Sequence, residues 1–332
     1  MSGENRSEIR ILFGDTGQGG RSLYRQALMG AGYSHLREFD TLEGFTDLLA
    51  VAHPDLVFMD AAMPGGDAIA TIADLRHGRL GINPYLPVIL TSWEAGQALV
   101  RRVIDAGVDD LLIKPLSIRI ILDRIESVAL HRKPFVVTSD YIGPDRRKAA
   151  ERRNNTVPLI EVPNPLREKM LGQTLDPKML QQQIMEANAQ INQQRLHASA
   201  FRIAFVAAQI VPRYKAQEAP DEATLTLLND LIVSAEDIRK RIAGTDLDHV
   251  AALCDHLLVP VRQMAERGLD FTFTPDWQKS FDLVSSLGDA VLAFFNPDKD
   301  ASVLAHEVTN AVDRFRARQA VRSGAAENPE PA

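Results

Sequence analysis

Over the first 130 residues, short apolar runs alternate with stretches in which apolar side chains recur every three or four positions. The runs predict strands near Ile9–Phe13, His35–Phe39, Leu56–Met59, Val88–Thr91 and Asp110–Ile113. The intervening stretches predict helices around Gly20–Ala31, Leu42–Val51, Asp67–Arg76, Gly96–Ala106 and Ile118–Leu130. Leu56-Val57-Phe58-Met59 and Val88-Ile89-Leu90 are apolar without alternation, so helices should cover both faces of those strands. Five such units describe an α/β domain over residues 8–130, with a five-stranded, parallel, doubly wound sheet.

From His131 to about Leu175 the periodicity fades. Pro134, Pro144, Pro158, Pro163 and Pro165 interrupt the chain, and basic residues gather in Asp145-Arg146-Arg147-Lys148 and Glu151-Arg152-Arg153. Residues 131–175 therefore read as a basic, proline-containing linker. Residues 176–320 read as an all-α bundle, followed by a disordered tail at 321–332. Within the bundle, Leu180, Ile184, Ala187, Ile191, Gln194, Ala198, Phe201 and Phe205 follow alternating four- and three-residue steps. That is the seam of a helix packed along another helix, serving either the core of one chain or a homodimer through residues 180–205. Further helices are expected at Ala223–Ala243, Leu247–Arg267, Trp277–Phe295 and Ser302–Ala320, with breaks at Pro212, Pro220, Gly244, Gly268, Pro275 and Pro297.

Charge and composition narrow the setting. The chain has 332 residues, a net charge of -7, one cysteine and 45% hydrophobic residues. A lone Cys254 cannot close an internal disulfide, which suits a reducing compartment. The start of the chain lacks the apolar core of a leader, and no apolar run nears the roughly 20 residues that span a bilayer. The expectation is a soluble cytoplasmic protein without membrane partners. Residues 1–130 carry net -5, residues 131–175 net +4 and residues 176–332 net -6. The acidic C-terminal region is a poor match for a phosphate backbone, and no Arg- and Lys-rich recognition helix stands out, so nucleic acid is not an expected partner.

Polar residues close the buried strands: Asp15 after the first, Asp60 after the third, Thr91 on the fourth and Lys114 after the fifth. In an open α/β sheet these side chains converge beyond the carboxyl ends of the strands. An exposed Asp60 carboxylate can attack phosphorus when a metal, a cation and a hydroxyl donor surround it. Asp15, Asp60 and a nearby backbone carbonyl, that of Ala62, form a hard-oxygen set suited to Mg²⁺. Lys114 and Thr91 supply the charge and the hydroxyl.

These residues carry a resemblance. Ile11-Leu12-Phe13-Gly14-Asp15, Leu56-Val57-Phe58-Met59-Asp60-Ala61-Ala62-Met63-Pro64, Val88-Ile89-Leu90-Thr91-Ser92 and Ala106-Gly107-Val108-Asp109-Asp110-Leu111-Leu112-Ile113-Lys114-Pro115 resemble, in order and spacing, the CheY-like receiver domain of two-component response regulators. The resemblance implies a flavodoxin-like sheet and phosphoacceptance at Asp60 from a histidine kinase or phosphotransfer protein with Mg²⁺. It further implies Thr91 and Lys114 as switch residues and a cis peptide at Lys114-Pro115. No enzyme activity beyond autodephosphorylation is implied. Three positions depart from the pattern: Gly14 replaces an acid, Leu111 stands where an aromatic is frequent, and Ala68 stands where glycine often follows the turn acid.

Other motifs are weaker. Gly17-Gln18-Gly19-Gly20-Arg21-Ser22 lacks both dinucleotide and P-loop spacing and reads as a flexible loop beside the acidic site. His306-Glu307-Val308-Thr309-Asn310 resembles the phosphoacceptor box of histidine kinases, which makes phosphotransfer or phosphatase action through His306, Glu307 and Asn310 the alternative function of the bundle. Cys254, Asp255 and His256 lack further ligands at metal spacing. Tyr141-Ile142-Gly143-Pro144-Asp145-Arg146-Arg147 is either a solvated tether or a site for phosphate or carboxylate groups.

Overall fold

In the computed structural model, residues 3–81, 83–147, 157–173 and 176–326 are described. They form two compact units, Met1–Ile191 and Asn192–Ala332.

The first unit holds a parallel five-stranded sheet: β1 (Arg10–Gly14), β2 (His35–Phe39), β3 (Leu56–Asp60), β4 (Val88–Ser92) and β5 (Asp110–Ile113), in spatial order β2-β1-β3-β4-β5. Every residue of β3 and β4 is buried, the consequence of two helical layers. Helices α1 (Gln18–Gly30) and α5 (Ile118–Leu130) contribute Tyr24, Leu28, Ile121 and Ile125 to the core on one face. Helices α2 (Leu42–Ala52), α3 (Ala68–Arg76) and α4 (Gln97–Asp105) contribute Phe45, Leu49, Ile72, Leu75 and Val103 on the other. Thr41, Asp67 and Ser117 cap α2, α3 and α5 by accepting backbone N–H groups of the first turn. The strand order reverses between β1 and β3, so the crevice beyond their carboxyl ends is bordered by Asp15 and Asp60.

Of the segment expected to be a linker, the described residues 131–147 and 157–173 are folded into this unit instead. Strands β6 (Phe135–Val137) and β7 (Ile142–Pro144) pair antiparallel. Phe135, Val137, Ile142 and Ile160 form a core with Tyr85, Ala187 and Ile191. Helix α6 (Pro165–Met170) buries Leu166 in the α1–α5 core, and the Asn164 side-chain amide donates to the carbonyls of Val128 and Ala129 at the end of α5. The prolines bend this segment without loosening it, because Pro144 lies at the end of a short strand and Pro165 opens a helix. Lys148, Glu151, Arg152 and Arg153 lie outside the described residues.

The second unit is helical. Helix α7 (Pro177–Lys215) spans the division between the units, and α8 (Glu222–Ile242), α9 (Asp248–Arg267), α10 (Trp277–Phe294) and α11 (Ala301–Ala326) follow. Pro212 does not break α7; it sits in the last turn, where its carbonyl accepts from Ala216 and its neighbours Val211 and Tyr214 are buried. The seam changes phase along α7. Ile184, Ala187 and Ile191 pack in the first unit, but in the second the buried stripe is Leu196, Ala200, Ile203, Ala207, Ile210 and Tyr214. Gln194, Ala198 and Phe201, expected on the seam, are only half-buried. Helix α11 runs on to Ala326, six residues into the expected tail, and residues 327–332 lie outside the described residues.

Candidate functional site

The register of β1, β3 and β4 brings Asp15, Asp60 and Thr91 to one end of the sheet: Gly14 pairs with Met59, and Asp60 with Thr91. Lys114 follows β5, and the Lys114–Pro115 peptide is cis. Its ammonium donates to Asp15 Oδ2 at 2.5 Å and to Asp60 Oδ2. One cation is thus shared by two carboxylates. Asp60 Oδ1 accepts the Ala62 N–H at 2.8 Å, and Asp15 Oδ1 accepts the Gly17 N–H at 2.9 Å.

The Asp60 carboxylate is not exposed as the sequence suggested. Asp60 is 2% exposed and Asp15 4%, because all four carboxylate oxygens are engaged by groups of the chain. Burial alone would push the Lys114 ammonium down, but its hydrogen bonds to Asp15 and Asp60 more than offset that, and its pKa lies above the ordinary lysine value.

Residues of α1 complete the site, and sequence reading missed them. The Tyr24 hydroxyl donates to Asp15 Oδ2 at 3.0 Å and lies 3.5 Å from Thr91 Oγ1. Its ring packs edge-on against Phe58, and burial pushes its pKa up to about 12. Arg21 Nη1 donates to the Asp15 carbonyl at 2.7 Å. The segment 17–22 is not a loose loop: the helix starts at Gln18, and a Cβ at Gly20 would overlap the Asp15 carboxyl group. Only glycine lets the first turn of α1 approach that carboxylate so closely. Trp93, 70% exposed, holds its ring centroid 5.7 Å from Lys114 Nζ.

The donor set is compatible with a hard divalent cation. Asp15 and Asp60 already hold one positive charge in common, and Mg²⁺ commonly takes one or two carboxylates with water and phosphate oxygens. Gly14 adds no acid, and among the described residues no group of three or more His, Cys, Asp or Glu side chains is placed to hold a metal. For Ala62, the engaged group is its N–H, which fixes the Asp60 carboxylate.

The remaining motifs fall elsewhere. Arg146 Nη2 donates to the carbonyls of Val108 and Asp109 at 2.5 and 2.6 Å. Arg147 pairs with Asp145 at 2.8 Å. The 141–147 motif therefore directs its arginines into its own unit. His306 and Asn310 are exposed one turn apart on α11, and Glu307 is ion-paired with Lys299 at 2.8 Å. Cys254 is buried, whereas Asp255 and His256 are exposed, so the three do not converge. Among the described residues no helix is long and apolar enough to cross a membrane.

The profile of the response regulator receiver domain matches residues 11–126. Response regulator MprA of Mycobacterium tuberculosis is 31% identical over 128 residues, covering 38% of this chain and 53% of MprA. The KDP operon transcriptional regulatory protein KdpE of Escherichia coli is 33% identical over 130 residues, covering 39% of this chain and 55% of KdpE. The chain thus spans about half the length of the curated relatives it matches. A two-component response regulator from Clostridium difficile superposes with a TM-score of 0.33 at 19% identity, covering 36% of this chain and 95% of that one. The N-terminal part of the chain, over residues 11–126, is a response regulator receiver domain.

Proposed function

We propose that Asp60 is the phosphoacceptor, taking a phosphoryl group from the phosphohistidine of a histidine kinase or phosphotransfer protein, and that its phosphorylation switches the interactions of the helical unit. The observation that carries this reading is the single ammonium of Lys114 paired with both Asp60 and Asp15 at the carboxyl end of the sheet. Asp60 Oδ1 is held by the Ala62 N–H, so Oδ2 is the oxygen freed when Lys114 lets go. The Asp60 oxygen forms a bond to phosphorus as the P–N bond of the donor breaks, and the imidazole leaves with the electron pair. Lys114 keeps its proton and its charge but shifts its ammonium from Asp60 to pair with a phosphoryl oxygen, and the Thr91 hydroxyl donates a hydrogen bond to another. Tyr24 and Gly17 keep Asp15 oriented meanwhile. Asp15, Asp60 and the Ala62 carbonyl are the groups that would hold Mg²⁺, which when bound neutralises charge on the phosphoryl oxygens.

Incubating the full-length chain with a small phosphodonor and Mg²⁺ should add the mass of one phosphoryl group, and Asp60→Ala should add none. An equal gain in Asp60→Ala would refute the assignment. The alternative, phosphoryl exchange by the helical unit, draws on the exposed placement of His306 beside Asn310. It predicts that His306→Ala slows phosphoryl movement between purified partners; an unchanged rate removes it.

A further inference from the structure

Helix α7 begins with a segment that is nearly its own mirror image. Lys178-Met179-Leu180-Gln181-Gln182-Gln183-Ile184-Met185-Glu186 reads alike in both directions about Gln182, with Leu180 opposite Ile184 and a basic residue opposite an acidic one at the ends. Its inward stripe is already occupied, since Ile184 packs with Ala187 and Ile191 against Tyr85, Phe135 and Ile142. The stripe that suggested a homodimer is thus covered by the chain itself. The outward stripe is not: Met179 is 56% and Met185 65% exposed. Lys178, Gln182, Met185, Glu186 and Ala189 line a shallow groove there, and at about 100° per residue they share one face of the helix.

From this we infer that the outward face of residues 178–189 docks on the same face of a second copy, antiparallel, about a two-fold axis through Gln182. A two-fold contact must be self-complementary, with residue i meeting j and j meeting i. An axis at Gln182 sets Met179 of one copy level with Met185 of the other, and Lys178 level with Glu186, at both ends of the crossing. An acidic or a basic partner would satisfy only one of those two charges, whereas a second copy satisfies both. Gln182 already donates to Glu186 at 2.9 Å, which holds the acid on this face. The contact is a short helix crossing, so the association is weak and reversible.

Sedimentation velocity of the full-length chain, from low to high micromolar concentration, tests this. The wild type should show a concentration-dependent monomer–dimer equilibrium. Lys178→Glu and Glu186→Lys, both at exposed positions, should each weaken it about tenfold, and the double reversal should return it to within about twofold of wild type. Gln182→Cys should oxidise to a cross-linked dimer while Gln190→Cys, far from the axis, should not; the native Cys254 is buried and does not interfere. A chain that stays monomeric throughout, a dimer indifferent to either reversal, or a double reversal as weak as the single ones would each overturn the inference.

Discussion

Gly14 and Phe39 exclude a side chain at position 14: the two residues pair across β1 and β2, and a Cβ on Gly14 would fall within the Phe39 ring. The ring is buried and packs against Phe45 with centroids 5.2 Å apart, so it has little room to retreat. The missing acid of the receiver pattern is therefore a packing choice, in which an aromatic from the edge strand fills the space a carboxylate would use.

Restoring that acid should fail unless Phe39 yields. Gly14→Asp alone should destabilise the first unit by roughly 2–3 kcal/mol, as overpacked cores do, read as a lowered urea midpoint with unchanged slope. Combining it with Phe39→Ala should relieve the overlap, so the double variant loses less than the sum of the two single ones. Additive losses would show that the ring and the new side chain do not compete.

Lys114 sits between two buried carboxylates, and its removal leaves both without their common cation. Lys114→Met should lower stability by about 3–5 kcal/mol, the usual penalty of orphaning a buried charge. Adding Asp15→Asn should recover a large part of that loss. The check is a double-mutant cycle in chemical denaturation, in which independent sites would give a coupling energy near zero.

The basic segment after α5 makes the same point at the other end of the sheet. Arg76 is buried, donates to the carbonyls of Gly107, Pro84 and Leu86, and pairs with Asp109 at 2.9 Å; Arg132 pairs with the same carboxylate at 2.7 Å. Arg146→Ala removes both hydrogen bonds that Nη2 donates to the 108–109 backbone and should destabilise the first unit by roughly 1–3 kcal/mol. Thermal denaturation measures it. An unchanged midpoint would return this arginine to the role of a solvated tether.

How far the sequence disclosed all this differs from residue to residue. The strands were legible because β3 and β4 are covered on both faces and so carry uninterrupted apolar runs. Asp15, Asp60, Thr91 and Lys114 were legible because each lies at or next to the carboxyl end of a strand, and parallel strands end together. Tyr24 was not, because at helical spacing from Ala27 and Leu28 it looks like another core residue, and only its hydroxyl distinguishes it. Arg76 resembled an ordinary basic residue in the last turn of a helix, though it is 3% exposed. The hairpin at 135–144 was hidden by its length, since three-residue strands carry almost no periodicity. On α7 the stripe skips from Ile191 to Leu196, a phase change that a single repeating pattern smooths over.

The second unit offers a test that uses its one cysteine. Cys254 is 0% exposed within the helical core, and burial pushes its thiol from 9.0 up to about 11, with Asp255 adding to the rise. The folded state therefore holds the thiol proton more tightly than the unfolded chain. The resulting stabilisation is fully present below about pH 9 and is lost as pH rises through about 11, an effect on the order of 2–3 kcal/mol. Buried tyrosines titrate in a neighbouring range, so the comparison must be with Cys254→Ala, in which the thiol contribution is absent. The stability difference between wild type and Cys254→Ala should narrow or reverse between pH 9 and 11. A thiol reagent at pH 8 should leave the native chain unmodified and label it once denaturant opens the bundle. Rapid labelling without denaturant, or a difference flat across that pH range, would place Cys254 at an accessible surface instead.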